Sequence, residues 1–154
     1  MKDSKNIIGF IHGEMNLDNI LMLETETEKF ETSNFVIIGF SKLNITLYIY
    51  DLANCICDCI IQVVSSNDVD LKDKDGILRI KSIYDNILNG YKSLYQVEQD
   101  ELILLNHCLL YRLTFKIIKH ELNHKSSDKD VSRKFFNSCW SFFEILFLNK
   151  LNNL

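Results

Sequence analysis

The side chains able to do chemistry gather in one short segment, His12-Gly13-Glu14-Met15-Asn16-Leu17-Asp18-Asn19. Ile38-Gly39-Phe40 follows, and then Tyr50-Asp51-Leu52-Ala53. Carboxylates beside side-chain amides suit phosphoryl transfer. That reaction needs a carboxylate to orient the attacking hydroxyl and take its proton, and hard oxygen ligands for Mg²⁺ across the nucleotide phosphates. No Gly-rich phosphate cradle occurs in the chain. The other reactive residue types do not form a set. Cys55, Cys57 and Cys59 read C-x-C-x-C, which is not the C-x2-C spacing of a zinc site. In a helix Cys55 and Cys59 would share one face, as small core residues. His107, His120 and His124 have no acid at fixed spacing and read as surface or core residues.

The elements that must position this segment follow from the hydrophobic pattern. With 154 residues, 47% of them hydrophobic and 25% charged, the chain suits a single globular domain or one lobe of a larger one. Asn19–Leu23 and Phe35–Ile38 read as two strands of a hairpin, with the charged stretch from Glu24 to Glu31 as its loop. From Tyr50 onward Leu52, Cys55, Ile56, Cys59, Ile60 and Val63 keep helical spacing, which predicts a helix over 50–66. Asn67 to Gly76 reads as a polar connection closed by an Asp75-Gly76 turn. Further helices are predicted over 77–96, 101–122 and 130–150. The helix over 101–122 is apolar nearly all round, which predicts burial on several sides. The last carries an aromatic stripe, Phe135, Phe136, Trp140, Phe143 and Phe147, suited to a core. The expected fold class is mainly α with a small β-hairpin.

Composition narrows the function classes. The 17 Lys and Arg against 21 Asp and Glu give a net charge of −4, so the basic footprint of a nucleic-acid binder is missing. The longest apolar stretch, Leu102 to Ile118, is broken by Asn106, His107, Arg112 and Lys116, which argues against a membrane span. No signal peptide is read at the amino terminus, so a cytoplasmic location with reduced thiols is expected.

The motif resembles the catalytic stretch of the aminoglycoside phosphotransferase and choline kinase group, small-molecule kinases with a protein-kinase-like fold. That pattern is H-G-D-x-x-x-x-N, an I-D-F strand, then a D-L-A or E-L-A helix start. Within the group the chain is most similar to hydroxylysine kinases. The resemblance implies the C-terminal lobe of that fold over 1–154, as a single partial domain. A nucleotide-clamping first lobe with its phosphate-binding Lys is expected to be missing before His12. It also implies roles by position. Glu14 stands at the catalytic base, Asp in the family. Asn19 stands at one metal ligand, and Gly39 at the other, where the family has Asp. His12 and Asp51 support the loop, and Arg112 aligns with a family Arg. Lys42 stands where hydroxylysine kinases have an acid, and Asp18 offers a substitute carboxylate. The partner of a buried Arg112 is expected to be a structural acid or the carboxylate of a substrate.

What the resemblance implies is transfer of the γ-phosphoryl group of GTP or ATP, with Mg²⁺, to the hydroxyl of 5-hydroxy-L-lysine. The departures at Glu14 and Gly39 imply an alternative, a catalytically dead fragment or pseudokinase-like binding module. A lobe without its partner would bare an apolar surface near His12 and Phe40, so self-association is expected.

Overall fold

A computed structural model describes residues 7–23, 35–65 and 74–123, together with Asn137 and Trp140. The chain begins with strand β1 (Ile8–Ile11), and a loop leads from it into a 3-10 turn at Leu17–Asn19. Strands β2 (Ile20–Met22) and β3 (Phe35–Ile37) follow, then a second 3-10 turn at Phe40–Lys42 and strand β4 (Asn44–Leu47). Three helices complete the described part: α1 (Ile49–Ser65), α2 (Lys74–Leu94) and α3 (Gln99–Asn123).

The fold is mainly helical with small antiparallel sheets. The expected hairpin is present, as β2 paired with β3 from Ile20 opposite Ile37 to Met22 opposite Phe35. A second pair was not foreseen: β1 runs antiparallel to β4, from Ile8 opposite Leu47 to Ile11 opposite Asn44. Each partner is only four residues long, and their separation along the chain hides the pairing from local pattern.

Helix α1 is the centre of the core. Ile49, Leu52, Ala53, Ile56, Cys57 and Ile60 are buried on it, against Ile80 and Leu88 of α2 and Leu105, Leu109 and Leu113 of α3. The three leucines recur every four residues, which lays one continuous ridge along α3. Three expectations are corrected here. Cys57, not Cys55 or Cys59, faces the core, because it falls one turn after Ala53 while its neighbours fall half-buried to the side. Helix α3 buries one stripe only, for Ile103, Tyr111, Phe115 and Ile118 are exposed among the described residues. Asp75-Gly76 is not a turn, since α2 already starts at Lys74. A carboxylate in that first turn meets the positive end of the helix dipole.

The helix expected over 130–150 lies outside the described residues apart from Asn137 and Trp140, which are helical. Among the described residues, no helix is long and apolar enough to cross a membrane.

Candidate functional site

The loop between β1 and β2 is held by one polar face of α1. Asp51, in the first turn of that helix, accepts from two successive backbone N–H groups, those of His12 at 2.6 Å and Gly13 at 2.9 Å. One turn on, the Asn54 amide donates to the Gly13 carbonyl at 3.3 Å. After a further turn, Asp58 accepts from the Leu17 N–H at 3.1 Å and pairs with Lys116 of α3 at 3.0 Å. The positions 51, 54 and 58 repeat every three to four residues, opposite the apolar stripe. Asp51 was read from sequence as loop support. Asn54 and Asp58 were missed, although their spacing from Asp51 is the signal that would have found them.

Gly13 is required by geometry. Its φ is +80°, and a Cβ there would overlap the Lys42 carbonyl oxygen. Lys42 therefore contributes backbone contact to the loop, whatever its charge does.

His12 is buried and bonds through both ring nitrogens. Nε2 lies 2.7 Å from the Ile38 carbonyl, which can only accept, so Nε2 carries the proton in this pairing. Nδ1 is then free to accept from the Glu14 N–H at 3.3 Å. The ring packs against Phe40 with centroids 4.6 Å apart. His12 thus ties the loop to the end of β3.

Asn19 and Gly39, far apart in sequence, are brought together. The Asn19 side-chain amide donates to the Glu14 carbonyl at 2.8 Å, and the Asn19 backbone carbonyl accepts from the Ile38 N–H at 2.9 Å. Gly39 sits in the left-handed region (φ 80°, ψ 37°), and a Cβ there would overlap Asn19 Oδ1. The two positions that the resemblance assigns to metal ligands are therefore neighbours. Glu14 is half-buried beside them through its backbone, while Asp18 is exposed in the 3-10 turn.

This donor set does not fit Mg²⁺. The ion needs near-octahedral oxygen coordination, and of the paired positions only Asn19 carries a side-chain oxygen. Among the described residues, no group of three His, Cys, Asp or Glu is placed to hold a metal.

Arg112 stands apart from the loop. Its guanidinium lies 5.8 Å from the Tyr50 ring centre and 5.7 Å from that of Phe115, and Nη1 donates to the Tyr50 hydroxyl at 3.5 Å. Nε is buried without a hydrogen bond. Among the described residues its partners are the Tyr50 and Phe115 rings and the Tyr50 hydroxyl; a structural acid, one of the two expected partners, is not among them. His107 is exposed, its Nδ1 within 2.8 Å of the Ile103 carbonyl; the side chains of His120 and His124 lie outside the described residues.

An open, mainly apolar cleft of about 530 Å³ adjoins the loop. Phe10, His12, Phe40, Tyr48 and Tyr91 line it, whereas Glu14, Asn19 and Gly39 do not. Compared with known proteins, the chain matches no family model, no curated protein and no solved structure.

Proposed function

We propose that the chain is the acceptor-side lobe of a small-molecule kinase of the hydroxylysine kinase type. Such an enzyme transfers the γ-phosphoryl group of GTP, or ATP, to the hydroxyl of 5-hydroxy-L-lysine, in the cytoplasm. The observation that supports this reading is the double hydrogen bond from Asp51 to the His12 and Gly13 amides. It fixes the backbone that presents Glu14. In this role the Glu14 carboxylate takes the acceptor proton, and Arg112 meets the amino-acid carboxylate.

One observation favours a second reading, a pseudokinase-like binding module. Gly39 supplies no side-chain oxygen beside Asn19, so the centre that would hold Mg²⁺ and the nucleotide is incomplete. Both readings keep a loop built to face a small hydroxylated amino acid.

The test combines turnover with binding. Transfer from GTP to 5-hydroxy-L-lysine that is lost in Glu14→Gln would support the kinase. Calorimetric binding of the amino acid without transfer, and without micromolar binding of Mg²⁺-GTP, would support the module. Failure of the chain both to bind and to phosphorylate 5-hydroxy-L-lysine would sink both.

A further inference from the structure

The cleft beside the loop is walled by aromatic rings from separate parts of the chain. Phe10 stands on β1, Phe40 on the second 3-10 turn, Tyr48 between β4 and α1, and Tyr91 and Tyr95 around the end of α2. The Tyr91 and Tyr95 rings are tilted against each other with centroids 5.4 Å apart. Seating one of these rings takes a glycine. Gly9 lies within β1, where glycine weakens a strand and often marks a close approach. A Cβ on Gly9 would overlap the Tyr48 hydroxyl and ring, so Tyr48 lies against β1 only because Gly9 leaves the space.

The charges around the cleft have one sign. Asp51 lines it, with its two oxygens on the His12 and Gly13 N–H groups. Each oxygen keeps a further lone pair. Glu101 lies behind Tyr95, 6% exposed, and accepts from the Tyr95 hydroxyl at 3.2 Å and from the Glu98 N–H at 2.9 Å. Backbone N–H donors favour the ionised form of both acids. Among the described residues neither acid pairs with a Lys or Arg, and no Lys or Arg lines the cleft. His12 commits its ring nitrogens to the Ile38 carbonyl and the Glu14 N–H. The faces of the rings are themselves electron-rich and attract cations. An anion, a nucleotide phosphate included, meets only repulsion here, whereas an apolar body carrying a positive charge is matched on both counts.

We propose that this cleft is a binding site for an aromatic amine cation, a flat ring with a protonated amine, its ring among Phe10, Tyr48 and Tyr91 and its ammonium toward Asp51. The volume of about 530 Å³ is that of a small-molecule site, which commonly spans about 300–1,000 Å³. The occupant also covers the exposed rim that Phe10 and Phe40 form. Glu14, Asn19 and Gly39 do not line the cleft, so the proposal stands or falls apart from the phosphotransferase reading.

The experiment compares three probes of one shape and different charge: tryptamine, a cation at neutral pH, uncharged 3-ethylindole, and the anion indole-3-propionate. Each is titrated by NMR into the whole chain, at a concentration where it sediments as a monomer. We expect tryptamine to saturate one site, about tenfold more tightly than 3-ethylindole, with indole-3-propionate weakest. Its contacts should fall on the rings of Phe10, Tyr48 and Tyr91. Phe10→Leu keeps the site apolar but removes one ring face, on a residue too exposed to matter for folding. It should weaken tryptamine about threefold and leave 3-ethylindole nearly unchanged. Gly9→Ala, which pushes Tyr48 off β1, should weaken all three probes. Equal affinity for tryptamine and indole-3-propionate would overturn the proposal, as would a preference for the cation that survives Phe10→Leu undiminished. Absence of saturable tryptamine binding, with the cleft covered only as the chain associates, would assign it to a second copy and overturn the proposal as well.

Discussion

Gly39 is packed against Asn19 so closely that a single added carbon at Gly39 would overlap the Asn19 side-chain oxygen. The left-handed backbone at Gly39 admits Asp more readily than most residues, because Asp and Asn are enriched there. Gly39→Asp should therefore fold, with a loss of about 1–3 kcal/mol from strain and from displacing the Asn19 amide off Glu14. It should also set a carboxylate beside an amide oxygen, both hard ligands. Mn²⁺ titration followed by paramagnetic relaxation should detect a site in Gly39→Asp and none in Glu14→Asp. Equal gains from both variants, or none from Gly39→Asp, would contradict the placement of these positions.

The Asp51 carboxylate supports a second expectation. Asp51→Asn keeps one acceptor but turns an NH₂ group toward a backbone N–H. Hydrogen bonds to charged groups are worth about 1.5–3 kcal/mol, so the variant should lose about 2–3 kcal/mol in urea unfolding. A loss confined to a few tenths would mean the loop does not depend on this brace.

Burial of Cys57 has a pH consequence. Its thiol is held near 11 against an ordinary value of 9.0, so the folded state retains a proton that the unfolded chain releases first. The contribution is complete below pH 9 and is lost as pH rises from there toward 11, by about 2–3 kcal/mol. Stability plotted against pH should fall less steeply over that window in Cys57→Ala than in the unaltered chain. Parallel curves would show that the proton on Cys57 has no part in the fall.

Phe10 and Phe40 are 71% and 56% exposed on the rim of the apolar cleft, a patch of the sort that draws molecules together. Sedimentation of the chain should show concentration-dependent association, which Phe10→Ser with Phe40→Ser should abolish. A monomer at every concentration would argue that the patch is inert.

The readable parts of the sequence were those with a local period. Ile56 and Ile60 announced α1, and Ile80 and Leu88 announced α2, because burial of one face writes a repeat of three to four. The loop motif was legible too, down to Asp51 as its support. The β1–β4 pair was not, since Ile8 and Leu47 recognise each other only across the folded chain. Nor was the surrounding of Arg112: a half-buried cation calls for a partner, and nothing local to α3 specifies the Tyr50 ring over an acid. The core cysteine was misplaced by two positions, Cys57 for Cys55 or Cys59, a rotation of about 200° that only the packing of Ala53 and Ile60 resolves.

The brace on the loop also dictates an order of assembly. His12 meets Asp51 across 39 residues, Gly13 meets Asp51 across 38, and Leu17 meets Asp58 across 41. None of these bonds exists until α1 stands as a helix, and α1 is stabilised chiefly by packing on α2 and α3. Closing such long loops carries an entropic penalty before any contact rewards it. The helices therefore come first and the loop is laid onto them late, so weakening it should speed unfolding and leave the folding rate almost untouched.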